Sequence, residues 1–184
     1  MSRDPGAKDA LVIHSASITP GRPPSATLLL DIEVHNASAK PRWASLPGQL
    51  PPVEGGAFAV ETLEAVGAHP FVAARILGRG GRTAWLLAPH ATIRLSGVSL
   101  TWWGPLPDDV ELIIEFCDSI QIGDTPLSEW LSAAPQALTD GASVALGDAP
   151  VVGSKSTEGL EEVAIALGGA RTSATAKTSV AHRA

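Results

Sequence analysis

Between Thr27 and Asn36 the chain reads TLLLDIEVHN, and apolar and polar positions alternate. Leu28, Leu30, Ile32 and Val34 fall on one side, and Leu29, Asp31, Glu33 and His35 on the other. Successive side chains of an extended chain point to opposite faces, so the pattern predicts a strand with one face in a core. DVELIIEFCDSI repeats it, with Val110, Leu112, Ile114 and Phe116 inward and Glu111, Ile113, Glu115 and Cys117 outward. Weaker strands are expected in ALVIHSASI, AFAVETLEAV, FVAARILG, TAWLLA and ATIRLSGVSLTWW. Turn formers separate them: Pro20-Gly21, Pro47-Gly48, Gly55-Gly56, Gly80-Gly81 and the run from Pro105 to Pro107. Roughly seven or eight short strands with no long helical pattern between them predict an all-β fold. The expected architecture is an antiparallel β-sandwich, immunoglobulin-like or jelly-roll-like. One short helix is expected in DTPLSEWLSAA, capped by Asp124 or Thr125, with Pro126 in its first turn and Trp130 folded onto the sheet.

Composition divides the chain. All five Trp and all three Phe lie at or before Trp130. The sandwich domain is therefore expected over 8–133. An Ala/Gly/Pro/Ser linker follows over 134–155, then a short amphipathic helix over 156–169 ending in Gly-Gly, then a disordered basic tail over 170–184. The helix rests on the spacing of Leu160, Val163, Ala164 and Leu167, with acids near its start.

Charge and cysteine usage narrow the function classes. The net charge of −6, with no Lys/Arg run, argues against a nucleic-acid partner. No stretch nears the roughly 20 apolar residues of a membrane span, and the apolar run after Met1 is too short for a signal core. A single cysteine, Cys117, suits a reducing compartment, so the expected location is cytoplasmic. Acidic neighbours Glu115 and Asp118 disfavour its thiolate, and a bystander thiol is expected. His14, His35, His69 and His90 show no ligand-pair spacing, and no metal or cofactor is expected. The acids from Asp108 to Asp118 match no calcium loop. Asn36-Ala37-Ser38 has the spacing of a glycosylation acceptor, which has no meaning without export.

SLTWWGPLP is the most specific feature of the domain. Trp102 and Trp103 are adjacent on a strand and must face opposite ways, so one anchors the core while the other is free to stack on a ligand or partner. Trp43 joins them as a candidate contact, unless it and the 105–107 loop cover the outer ring. No nucleophile–base spacing stands out, so the domain is expected to be a non-catalytic binding or structural module. Its expected partner is a protein or small ligand.

The end of the chain offers an alternative. Glu162 and Val163 stand eight and seven positions before a cut after Gly168-Gly169. This resembles the double-glycine leader of exported or modified bacterial peptides, although Ala166 stands where a larger aliphatic residue is usual. The resemblance implies a precursor, cleaved after Gly169 by a processing peptidase or transporter. The released Thr/Ser-rich peptide would carry Arg171, Lys177 and Arg183 and no acid.

Overall fold

The computed structural model describes residues 8–47, 58–63, 73–78, 81–131, 135–147, 151–157 and 164–184. In chain order the elements are β1 (Ala10–Pro20), β2 (Ser25–His35), β3 (Arg42–Pro47), β4 (Ala59–Leu63), β5 (Ala73–Leu77), β6 (Arg82–Leu87), β7 (Thr92–Trp103) and β8 (Asp109–Cys117). There follow β9 (Ser119–Ile122), β10 (Thr125–Pro126), α1 (Leu127–Trp130), β11 (Ser143–Ala145), β12 (Val151–Ser156), β13 (Ile165–Gly168), β14 (Thr172–Ser179) and β15 (Ala181–His182). They form a five-stranded sheet in the order β11-β7-β2-β1-β15 and a seven-stranded sheet in the order β12-β4-β5-β6-β3-β8-β14. A small third sheet runs β10-β9-β13. The protein is an all-β sandwich with one short helix.

The alternating strands land as their pattern demands. Leu28, Leu30, Ile32 and Val34 of β2 and Val110, Leu112, Ile114 and Phe116 of β8 meet in one core, with Ile93 and Leu95 of β7. Sheet-on-sheet packing of this kind needs only one apolar face per strand.

The seven-stranded sheet departs from that scheme because it has a second core on its other face. Trp43, Val60, Ile76 and Ala84 pack there beneath Ile120 and Ile122 of β9 and Leu127 of α1. β3 lies between β6 and β8 and is buried on both sides from Arg42 to Leu46, so it shows no alternation to read. Cys117, expected outward, is fully buried for the same reason. In α1 the N-cap is Pro126, with no side-chain cap bond, rather than Asp124 or Thr125. Trp130 packs partly buried against the second core.

Most of the chain after 133 is also corrected. Within the expected linker, Leu138 is buried and bridges to Leu87, and β11 adds to the edge of β7. The expected helix over 156–169 has a strand, β13, at its end, with Ile165 and Leu167 against the second core. Residues 158–163, including Leu160, Glu162 and Val163, lie outside the described residues.

The expected disordered tail is β14 and β15. β14 matches β8 residue for residue, from Thr172 opposite Phe116 to Ser179 opposite Asp109. TSATAKTS does alternate, but its inward side chains, Ala174 and Ala176, are too small to register as an apolar face. The backbone ladder and the neighbouring sheet supply what the side chains lack. The basic residues join in: Arg171 lies 3.3 Å from Glu115, and Lys177 is in register with Glu111. Burial raises the Glu115 pKa, but hydrogen bonding and charge from Arg82, then Arg171, outweigh it and hold the carboxyl below its ordinary value. After Val180 the chain crosses to the other sheet, where β15 runs parallel to β1 beside Ser17 and Ile18. The last residues thus bind both layers together.

Candidate functional site

The tryptophan pair closes β7. Trp102 is in register with Ala26 of β2 and packs partly buried against the first core. Its indole Nε1–H donates to the Pro105 carbonyl at 2.9 Å, which pins the following turn. Trp103, one residue on and opposite Ser25, points the other way and is 60% exposed. Leu106 is exposed in the same turn. Trp43 does not join this surface. It is buried in the second core, in register with Leu86 and Cys117, and is closed to a partner.

Beneath Trp102 the sandwich core opens into an apolar cavity of about 240 Å³, lined by Leu28, Leu46, Leu100, Val110 and Leu112 among others. A second cleft of about 420 Å³ adjoins it and shares Leu46, Leu100 and Thr101. Its further walls are Leu63, Arg75, Thr83, Trp85 and Leu146.

Gly168 ends β13, in register with Ser119, and Gly169 opens the turn into β14. The Asp118 backbone N–H donates to the Gly168 carbonyl at 3.0 Å, and the Ala170 N–H donates to Asp118 Oδ2 at 3.0 Å. Gly169 has φ +76°, and a Cβ there would sit 2.5 Å from both the Asp118 Cβ and Oδ2. A residue with a side chain cannot occupy this position without strain. The two glycines therefore have a structural reason to be adjacent.

The remaining candidates are dispersed. His14 faces Glu33 at 3.5 Å, His35 Nδ1 lies 3.0 Å from Thr92 Oγ1, and His182 Nε2 lies 2.9 Å from the Pro107 carbonyl. His90 sits in a turn with positive φ, and His69 lies outside the described residues. Among the described residues no three His, Cys, Asp or Glu side chains converge as metal ligands would. Asn36 is fully buried, its amide donating to the Lys40 and Ala88 carbonyls at 2.9 Å each, so it is no surface acceptor. Burial pushes the Cys117 thiol up to about 11 against the lowering effect of Arg42 and Arg82. The native protein is expected to resist a disulfide-exchange reagent at neutral pH and to react fully once unfolded in urea. Rapid reaction of the native thiol would show that the second core opens readily.

Spacing gave no sign of the buried polar network around Arg42. Arg42 Nη1 lies 2.5 Å from Asp9 Oδ2 and 3.0 Å from Thr172 Oγ1. Its Nη2 donates to the Ala170 and Phe116 carbonyls at 2.7 and 3.0 Å, and Nε lies 3.5 Å from Asp118 Oδ1. Asp9 before β1 and Ala170 and Thr172 at the start of β14 are thus fastened to one guanidinium. Asp9 and Thr172 are too far apart in sequence for any motif to link them.

The described residues contain no helix long and apolar enough to cross a membrane. Comparison with family models, with curated proteins and with solved structures returns no match.

Proposed function

We propose that this chain is a non-catalytic binding or structural module of the cytoplasm that engages a protein or small ligand at the end of β7. The observation that carries this reading is Trp103, 60% exposed on a sandwich whose other tryptophans are all wholly or partly buried. An exposed indole is a large, stiff contact that loses little side-chain entropy when a partner covers it.

The precursor alternative has less support. A cut after Gly169 would fall in a turn braced by Asp118 and would release a paired strand instead of a loose tail. Mass spectrometry of the protein from its native source tests this directly. A chain ending at Ala184 is expected; a chain ending at Gly169 would restore the precursor.

The tryptophan pair tests the module itself. Trp102→Ala is expected to cost about 3 kcal/mol, the low end for a core indole, and Trp103→Ala no more than about 0.5 kcal/mol. Trp103→Ala should nonetheless lose the partner retained by the wild-type chain in extracts of the native cell. Equal destabilisation by both changes, or undiminished retention, would remove Trp103 as the contact.

A further inference from the structure

β7 is 12 residues long, but β11 accompanies only Arg94, Leu95 and Ser96 on its outer side. The last bond there runs from the Leu146 N–H to the Ser96 carbonyl at 2.8 Å. Gly97 then marks the parting of the two strands. Its φ is +72°, and a Cβ would stand 3.0 Å from the Gly147 backbone nitrogen. From Gly97 to Trp103 no described residue pairs with β7 on the side away from β2. Natural sheet edges are commonly shortened, charged or interrupted by proline. This segment, GVSLTWW, contains no charge and no proline.

The 420 Å³ cleft opens along that edge, with aliphatic walls at Leu46, Leu63 and Leu146. Trp85 also lines it, fully buried, and its indole Nε1–H has no acceptor among the described residues. A buried donor left unpaired is destabilising, and an incoming acceptor would offset that cost. Arg75 at the cleft lies 3.5 Å from Glu61, so the charge there is already balanced. A ligand suited to all these features offers alternating N–H and C=O groups, an aliphatic side chain, an acceptor and no charge. That is an extended peptide.

We infer that the edge from Gly97 to Trp103, with this cleft, is a strand-addition site for an extended peptide bearing aliphatic side chains between small uncharged residues. It rests on the reading of the chain as a binding module and names the class of its partner. The peptide continues the five-stranded sheet where β11 leaves off, and its backbone completes the ladder. One aliphatic side chain enters the cleft. The next on the same face, about 7 Å along, reaches the smaller cavity beyond Leu46 and Leu100.

The test uses the full chain, labelled with nitrogen-15, and a capped heptapeptide of alternating Thr and Val with a central Leu. Added peptide is expected to shift the amides of Gly97 to Thr101 and the Trp85 indole, and to slow solvent exchange at the edge. Trp85→Phe, which keeps the aromatic ring, should weaken binding about three- to tenfold, the effect of one lost hydrogen bond. Leu146→Arg should abolish it. Unchanged affinity in Trp85→Phe overturns the inference. So do edge amides already protected in the free chain, which would mean the chain covers its own edge. Protection that appears only as protein concentration rises would assign the edge to a second copy and overturn it equally. Shifts with decanoate but none with peptide would make the cleft an apolar small-molecule site. Failure of the peptide while Trp103→Ala still loses the native partner sinks this inference alone; failure of both sinks the module reading.

Discussion

A chain ending at Gly169 is expected to lose its cooperative thermal transition altogether. The reason lies in what β14 does for its neighbours. It supplies the outer ladder of β8 over eight matched positions, and Ala174 closes the first core beside it. Without it, Ile114 and Phe116 lie on a strand whose outer side faces water. Arg42 would lose Thr172 Oγ1 and the Ala170 carbonyl, and β15 would no longer tie the second sheet to β1. Each buried group left unpaired costs about 1–3 kcal/mol, and several are left at once. A domain of this size has only about 5–15 kcal/mol of stability in total. Truncation therefore exceeds what the rest of the fold can absorb. Near-ultraviolet circular dichroism against temperature reads the outcome, and a synthetic peptide of residues 170–184 added in trans should restore part of the signal. A truncated chain that melts like the full one would return the segment to the status of a loose tail.

That expectation reverses the composition-based one, and the reversal shows what alternation can and cannot reveal. β2 and β8 were legible because each sets large aliphatic side chains against polar ones, and burial of area that large dominates the local choice. β14 has the same period with Ala on its inward face, so its signal was small although its ladder is complete. β3 failed for the opposite reason. Trp43 faces one core while Ala44 and Leu46 face the other, and a strand buried on both faces has no polar side to alternate with. Cys117 followed from the same error: only one core was anticipated where the sheet separates two. The opposed faces of Trp102 and Trp103 could be read directly, because strand geometry alone requires them. The cleft beside β7 could not, since its walls come from strands joined only by tertiary folding.

Arg42 and Asp9 carry the second large expected effect. Each side chain retains only 5% of its exposure, and the guanidinium also lies 5.8 Å from the centre of the Phe116 ring. Arg42→Ala leaves the Asp9 carboxylate buried without its cation, and Asp9→Ala leaves the guanidinium with only the partly exposed Asp118 carboxylate at 3.5 Å. Either change is expected to cost about 3–5 kcal/mol, because most of the loss is an uncompensated buried charge. Arg42→Lys should recover little of it. An ammonium cannot reach Asp9, Thr172 and the Ala170 and Phe116 carbonyls together in the planar fork that Arg42 uses. The double change Arg42→Met with Asp9→Leu removes both charges and keeps most of the volume, so it should cost far less than the two single changes added together. Urea unfolding of the wild type, Arg42→Met, Asp9→Leu and the double variant forms the cycle, and the coupling between the two positions should come out at several kcal/mol in the stabilising sense. Additive costs, or an Arg42→Ala loss below about 1 kcal/mol, would mean that water reaches the pair and that β1 and β14 are held by their ladders alone.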